Sequence, residues 1–122
     1  MPSNKSLMVV DDSKVSRMMI KAIIIDKFPD MIIYEASNGQ EAIDLSHKKD
    51  IDFYSVDFNM PIMDGIEFIS KMKAESSNAK FALLTANIQK STHNKAKEIG
   101  AICINKPISE KCIVKMLEYF YA

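Results

Sequence analysis

Glycine, proline, cysteine and histidine are all scarce in this chain, with three, four, two and two copies among 122 residues, and each scarcity closes a class of function. So little Gly and Pro, in a composition 48% hydrophobic and 26% charged, excludes a fibrous or disordered chain. Low-complexity tracts and internal repeats are missing as well. No segment approaches the ~20 apolar residues of a membrane helix, and the apolar run in "MPSNKSLMVV" is too short for a signal peptide, so a cytoplasmic location is expected. Net charge is zero, 16 basic against 16 acidic residues, which gives no reason to expect nucleic acid or an anionic membrane as partner. Cys103 and Cys112 stand nine apart without the short spacing of a zinc or redox motif, and are expected as buried, reduced thiols. His47 and His93 have no partner pattern and are expected to be solvated.

What is present is a regular alternation over a length that suits one domain, 1–122. Short, unalternating apolar runs occur at Leu7 to Val10, Met31 to Tyr34, Phe53 to Val56, Phe81 to Leu84 and Ile102 to Ile104, as strands covered on both faces require. Helical spacing follows each of them. Ile113, Met116, Leu117 and Phe120 form an apolar stripe in the last helix, and Ile88, Thr92, Ala96 and Ile99 a thinner one in the fourth. Five such βα units predict an α/β fold: a doubly wound, five-stranded parallel sheet with five helices and right-handed crossovers. In such a sheet the working site lies at the carboxyl ends of the strands.

The residues at those ends are Asp11 and Asp12 after the first strand, Asp57 after the third, Thr85 after the fourth and Lys106 just past the fifth. Singly, each has an ordinary use: Asp-Asp-Ser can cap a helix, "MDG" can be a turn, Thr85 a strand end, and Lys106 a surface residue before a proline. Together they place three carboxylates on one rim. Two unit charges ~4 Å apart repel by ~4 kcal/mol at an effective dielectric of ~20, so the cluster needs cations. Lys106 supplies one. Oxygen ligands without His or Cys point to a hard divalent ion such as Mg2+.

In "VVDDS", "EASNGQEAIDL", "DFNMPIMDG", "LLTA" and "INKP" the chain resembles, in order and spacing, the receiver domain of two-component response regulators. The resemblance implies the flavodoxin-like strand order 2-1-3-4-5. It implies that Asp57 is the phospho-acceptor, that Asp12, Asp57 and the main-chain carbonyl of Asn59 bind Mg2+ directly, and that Asp11 helps through water. Lys106 would pair with the acceptor and then with a phosphoryl oxygen. The Thr85 hydroxyl would swing towards the phosphoryl group, joined by the Ala86 N–H. A histidine kinase or histidine phosphotransfer protein would supply the phosphoryl group, and the receiver would catalyse its own phosphorylation and dephosphorylation. Asn59 and Asn87, two beyond the acceptor and two beyond Thr85, are expected to set the lifetime of the phosphorylated state; neither amide can act as a general base.

One position departs from the family. Three residues before the Lys of "KP", where Tyr or Phe is usual, stands Cys103, so an aromatic flip cannot couple the site to the output face. The short tail "EYFYA" leaves a stand-alone receiver without output domain as the expectation, signalling by phosphorylation-dependent protein binding as a chemotaxis-type regulator or a phosphorelay shuttle. Residues 88–122 carry six basic against three acidic side chains, and an acidic or amphipathic downstream partner is expected on the face of the fourth helix, fifth strand and fifth helix, at Lys90, Lys95, Cys103, Lys111 and Lys115. Rival readings fit less well. A haloacid-dehalogenase-type phosphatase needs a second Asp where Asn59 stands, and a flavodoxin-like binder would set Asp11 and Asp12 against a phosphate. The alternative is a degenerate receiver that binds partners independently of phosphorylation, against which the intact acid, Thr and Lys set speaks.

Overall fold

The computed structural model describes residues 4–75, 77–86 and 89–122. Strands and helices alternate: β1 Ser6–Val10, α1 Lys14–Lys27, β2 Ile32–Ala36, α2 Gly39–Ser46, β3 Phe53–Asp57, α3 Gly65–Ala74, β4 Lys80–Thr85, α4 Lys90–Glu98, β5 Ala101–Asn105 and α5 Glu110–Phe120. All strand pairs are parallel, in the order β2-β1-β3-β4-β5, as expected.

Four helices start where a side-chain oxygen takes up a free N–H of the first turn. Ser13 accepts from Ser16, Asn38 from Glu41, Asp64 from Glu67 and Ser109 from Cys112. The caps Ser13, Asn38 and Ser109 sit two to four residues past a strand, and Asp64 closes the longer turn after β3.

The sheet divides the core in two, and successive strand residues go to opposite sides. Met8, Val10, Tyr54, Val56, Phe81 and Leu83 pack with Phe68 and Ile69 of α3 and Ala96 of α4. Leu7, Val9, Phe53, Ala82, Leu84 and Ile104 pack with Ile20 and Ile24 of α1 and Ile113, Leu117 and Phe120 of α5. The stripe Ile113, Met116, Leu117, Phe120 is buried throughout. Of the thinner stripe Thr92 and Ala96 are buried and Ile99 packs against the core, while Ile88 lies outside the described residues.

Burial on both faces holds for β1, β3 and β4 but not for the two edges. β2 begins one residue later than the apolar run suggests, extends to Ala36, and leaves Ile32 and Glu35 exposed; Ile102 and Cys103 of β5 are half-buried. An edge strand is covered only where a helix reaches it, a property of topology that local composition does not carry. Neither cysteine is fully buried, contrary to expectation; both are free thiols, and Cys112 Sγ accepts the Ser109 N–H at 3.3 Å, completing the cap of α5. Both histidines have partners: exposed His47 pairs with Glu75 Oε1 at 2.9 Å, and half-buried His93 Nε2 meets Asn105 Oδ1 at 3.1 Å.

Candidate functional site

The register of the sheet lines up the carboxyl ends of β1, β3, β4 and β5 on one rim. Asp57, the last residue of β3, is 7% exposed, and Asp11, directly after β1, is 2% exposed. Asp12 is exposed beside them, and the three acids each offer an oxygen within 4.8 Å of the others. Lys106 crosses from the end of β5: its Nζ lies 2.8 Å from Asp57 Oδ1 and 3.8 Å from Asp11 Oδ2. The main-chain N–H of Lys106 donates to the Thr85 carbonyl at 2.9 Å, so β4 positions the stem of that side chain.

Thr85 is buried at the tip of β4, with Ala86 exposed immediately beyond it. Asn59 is exposed two residues past Asp57. Asn87 lies outside the described residues. The acids, Asn59, Thr85, Ala86 and Lys106 all occupy the ends of these strands or the turns that follow them, as the sequence predicts. Lys90 and Lys95 on α4 and Lys111 and Lys115 on α5 are exposed. Cys103 packs against the α3 side of the core, and burial pushes its thiol pKa up, partly opposed by the Lys115 charge. The groove on the outer side of β5 and α5 is lined by Ile104, Pro107, Lys111, Cys112, Val114 and Lys115, and Cys103 is not among its residues.

The turn after Asp57 is built for close approach. A Cβ on Gly65 would come within 2.6 Å of the Asp57 carbonyl oxygen and of Leu83, so only glycine lets α3 start this close to the end of β3. Before it, Ile62 takes φ +72° with its side chain fully exposed, a conformation a β-branched residue rarely adopts.

Charge on the rim is incompletely balanced. Burial raises the pKa of Asp57, Lys106 lowers it through their hydrogen bond, and the charges of Asp11 and Asp12 push it up again; the net is upward. Asp11 is likewise raised, first by burial, against the Ser13 N–H and the Lys106 charge that lower it. Burial would lower the Lys106 pKa, but the Asp57 hydrogen bond and the surrounding acids outweigh it and the ammonium is held. Among the described residues, Asp11 Oδ2 and Ser55 Oγ are the buried side-chain oxygens without a hydrogen-bond partner. Three carboxylates, one ammonium and an orphaned carboxylate oxygen fit a hard divalent cation: the donors are all oxygen, and two further positive charges would neutralise the group.

Arg17 was not legible as part of this site. Its Nη1 donates to the Asp11 carbonyl at 2.6 Å, and its Nε to Glu35 Oε1 at 3.1 Å. In the sequence it is one polar residue of an apolar helical stretch, and its partner on β2 is 18 positions away.

The family model described as "Response regulator receiver domain" matches residues 7–118. The chemotaxis protein CheY of Halobacterium salinarum is 33% identical over 111 residues, covering 90% of this chain and 91% of that protein. Sporulation initiation phosphotransferase F of Bacillus subtilis is 28% identical over 99 residues, covering 81% and 78%. In structure, the chemotaxis protein CheY4 of Vibrio cholerae superposes with a TM-score of 0.87 at 26% identity, over 97% of this chain and 99% of that one. No helix among the described residues is long and apolar enough to cross a membrane.

Proposed function

This chain belongs to the family of response regulator receiver domains, phospho-accepting modules of two-component signalling, and from that premise we propose that Asp57 is its phospho-acceptor in a Mg2+-dependent transfer from a phosphohistidine. The observation that carries the proposal is the pairing of a buried strand-end carboxylate with Lys106 at 2.8 Å, beside an acid whose Oδ2 has no hydrogen-bond partner. A carboxylate oxygen of Asp57 attacks phosphorus; the P–N bond to the donor imidazole breaks, and the imidazole nitrogen keeps the electron pair and is protonated. Lys106 passes from Asp57 Oδ1 to a phosphoryl oxygen. The Thr85 hydroxyl and the Ala86 N–H meet the others.

Asp12, Asp57 and the Asn59 carbonyl would hold Mg2+, with Asp11 acting through water. When bound, the ion supplies positive charge that lets ionised acids coexist with an incoming dianion. Hydrolysis of the acyl phosphate is limited by how water is positioned, because the Asn59 amide cannot serve as general base.

A histidine kinase or phosphotransfer protein is the donor. An exposed apolar stripe on α1, Val15, Met18 and Ile25, begins three residues from Asp12 and supports a protein surface meeting the rim there. The domain's output is a protein with acidic or amphipathic surface that binds at Lys90, Lys95, Lys111 and Lys115. Incubation with acetyl phosphate and Mg2+ should add one phosphoryl mass to the parent and none to Asp57→Asn, and chelation of Mg2+ should abolish the adduct. Equal labelling of the variant would remove Asp57 from the role, and labelling in excess chelator would remove the ion.

A further inference from the structure

The acidic rim is gripped from behind by α1 and β2. Arg17 reaches the Asp11 carbonyl and Glu35 at once, and its side chain is only 14% exposed. Arginine is seldom so buried unless paired. Lys21, one turn further along α1, stands 3.6 Å from the other Glu35 oxygen. On its opposite side the Asp11 main chain donates its N–H to the Ala36 carbonyl at 3.0 Å, and Asp11 Oδ1 accepts the Ser13 N–H at 2.9 Å. Asp11 is therefore held at its N–H, its carbonyl and one carboxylate oxygen, which leaves Oδ2 as its one unbonded oxygen.

We propose that Arg17 is a positioning residue for the cation site, fixing the aim of the Asp11 and Asp12 carboxylates through the Asp11 carbonyl, with Glu35 as its anchor. The proposal rests on the assignment of the rim as a cation site. The Asp11 carbonyl shares a rigid peptide plane with the N and Cα of Asp12, so a donor locked on that oxygen orients both acids. A guanidinium can hold carbonyl and carboxylate together through separate N–H groups of its fork, which a lysine ammonium cannot do with the same rigidity. Glu35 also keeps the guanidinium off the rim carboxylates, where it would compete with a metal ion. Charge and position thus have opposite signs at Arg17. As a cation near the cluster it repels a divalent ion; as a clamp it assembles that ion's ligands.

The test is calorimetric titration of Mg2+ into the parent, Arg17→Gln, Arg17→Lys and Glu35→Gln, with amide hydrogen exchange at Ser13 in chelator and denaturation midpoints alongside. Removing a partner that orients metal ligands weakens affinity roughly tenfold or more. Both Arg17 variants should show a loss of that size with faster Ser13 exchange, and Glu35→Gln a smaller loss of the same sign. Affinity unchanged or tighter in Arg17→Gln, or parental affinity in Arg17→Lys, overturns the proposal; so does a lowered midpoint with Mg2+ affinity intact. Should Arg17→Gln fail to fold, Arg17→Lys and Glu35→Gln decide by the same criteria. A parent that binds no Mg2+ overturns the cation assignment instead, and Ser13 exchange in Arg17→Lys, faster or unchanged, then upholds or overturns the clamp by itself.

Discussion

The two ends of the same strands are built on opposite terms. At the amino ends, Phe53 stacks on Phe120 with ring centroids 4.7 Å apart and meets the edge of Tyr121 at 5.2 Å, and Tyr121 stacks on Phe28 at 4.9 Å. Charges there find partners within the chain: Asp52 Oδ2 accepts the Ser6 N–H at 2.9 Å, and Lys80 Nζ donates to the Ala122 and Tyr119 carbonyls at 2.8 and 3.2 Å. At the carboxyl ends, buried Asp11 and Asp57 are pushed towards protonation and one ammonium faces three acids. The aromatic end stabilises the fold, whereas the acidic end keeps buried carboxylates that burial and mutual repulsion disfavour in their charged form. Reactivity and stability are thereby separated along the strands, a division common where a site needs groups that the fold alone would not favour.

The comparison breaks most visibly at the aromatic end. Phe53→Ala should lower unfolding free energy by about 3–5 kcal/mol, the usual cost of deleting a packed ring from a core. Urea titration reads this, and acetyl phosphate labelling of the fraction still folded should be unchanged. A loss of labelling in folded protein would show the two ends to be coupled.

At the acidic end the effects should be on binding. Asp12→Ala should weaken Mg2+ by roughly a hundredfold, about 2.7 kcal/mol, because it removes a charged ligand of the proposed site. Thr85→Ala should leave affinity within a factor of about two, since on the reading proposed above its hydroxyl serves the phosphoryl group and not the ion. Equal losses in titration would mean that these roles are misassigned.

The smallest effect is on stability without ions. Folded Asp57 and Asp11 hold protons more tightly than in the unfolded chain, so their contribution favours the fold below the ordinary carboxylate range and is lost as pH rises through their raised pKa values. In chelator, Asp57→Asn should melt a few degrees above the parent at neutral pH, roughly 4 °C for each kcal/mol in a domain of this size. The gap should narrow on acidification and on adding Mg2+. A variant that melts below the parent would show that Lys106 already compensates Asp57.

Much of this division was legible in the sequence, because strand-end residues follow directly from where apolar runs stop: Asp11, Asp57, Thr85 and Lys106 stand where those runs predict. The strand order came with the family resemblance. The remainder depends on contacts between segments distant in sequence. Nothing local to "IIYEA" shows that this strand is an edge, and nothing in "KVSRMM" shows that Arg17 turns back onto the rim while its neighbour Met18 faces solvent. Cys112 completes a cap by a thiol where a carboxylate or amide would be the recognisable signal.

The sheet order has a consequence for how the native state can be counted. Asp11 directly follows β1 and Asp57 ends β3, the central strand beside it, whereas Lys106 follows the edge strand β5 and is tied to them only across β4. The Asp57–Lys106 ion pair thus joins residues from the middle and the end of the chain, a non-local contact of the kind that slows folding. A nascent or partly unfolded chain can contain every reactive residue and still have no site. With Asp57 as the proposed acceptor, phosphoryl incorporation would count completed molecules, and a pulse of donor given during refolding would time the arrival of the fifth strand.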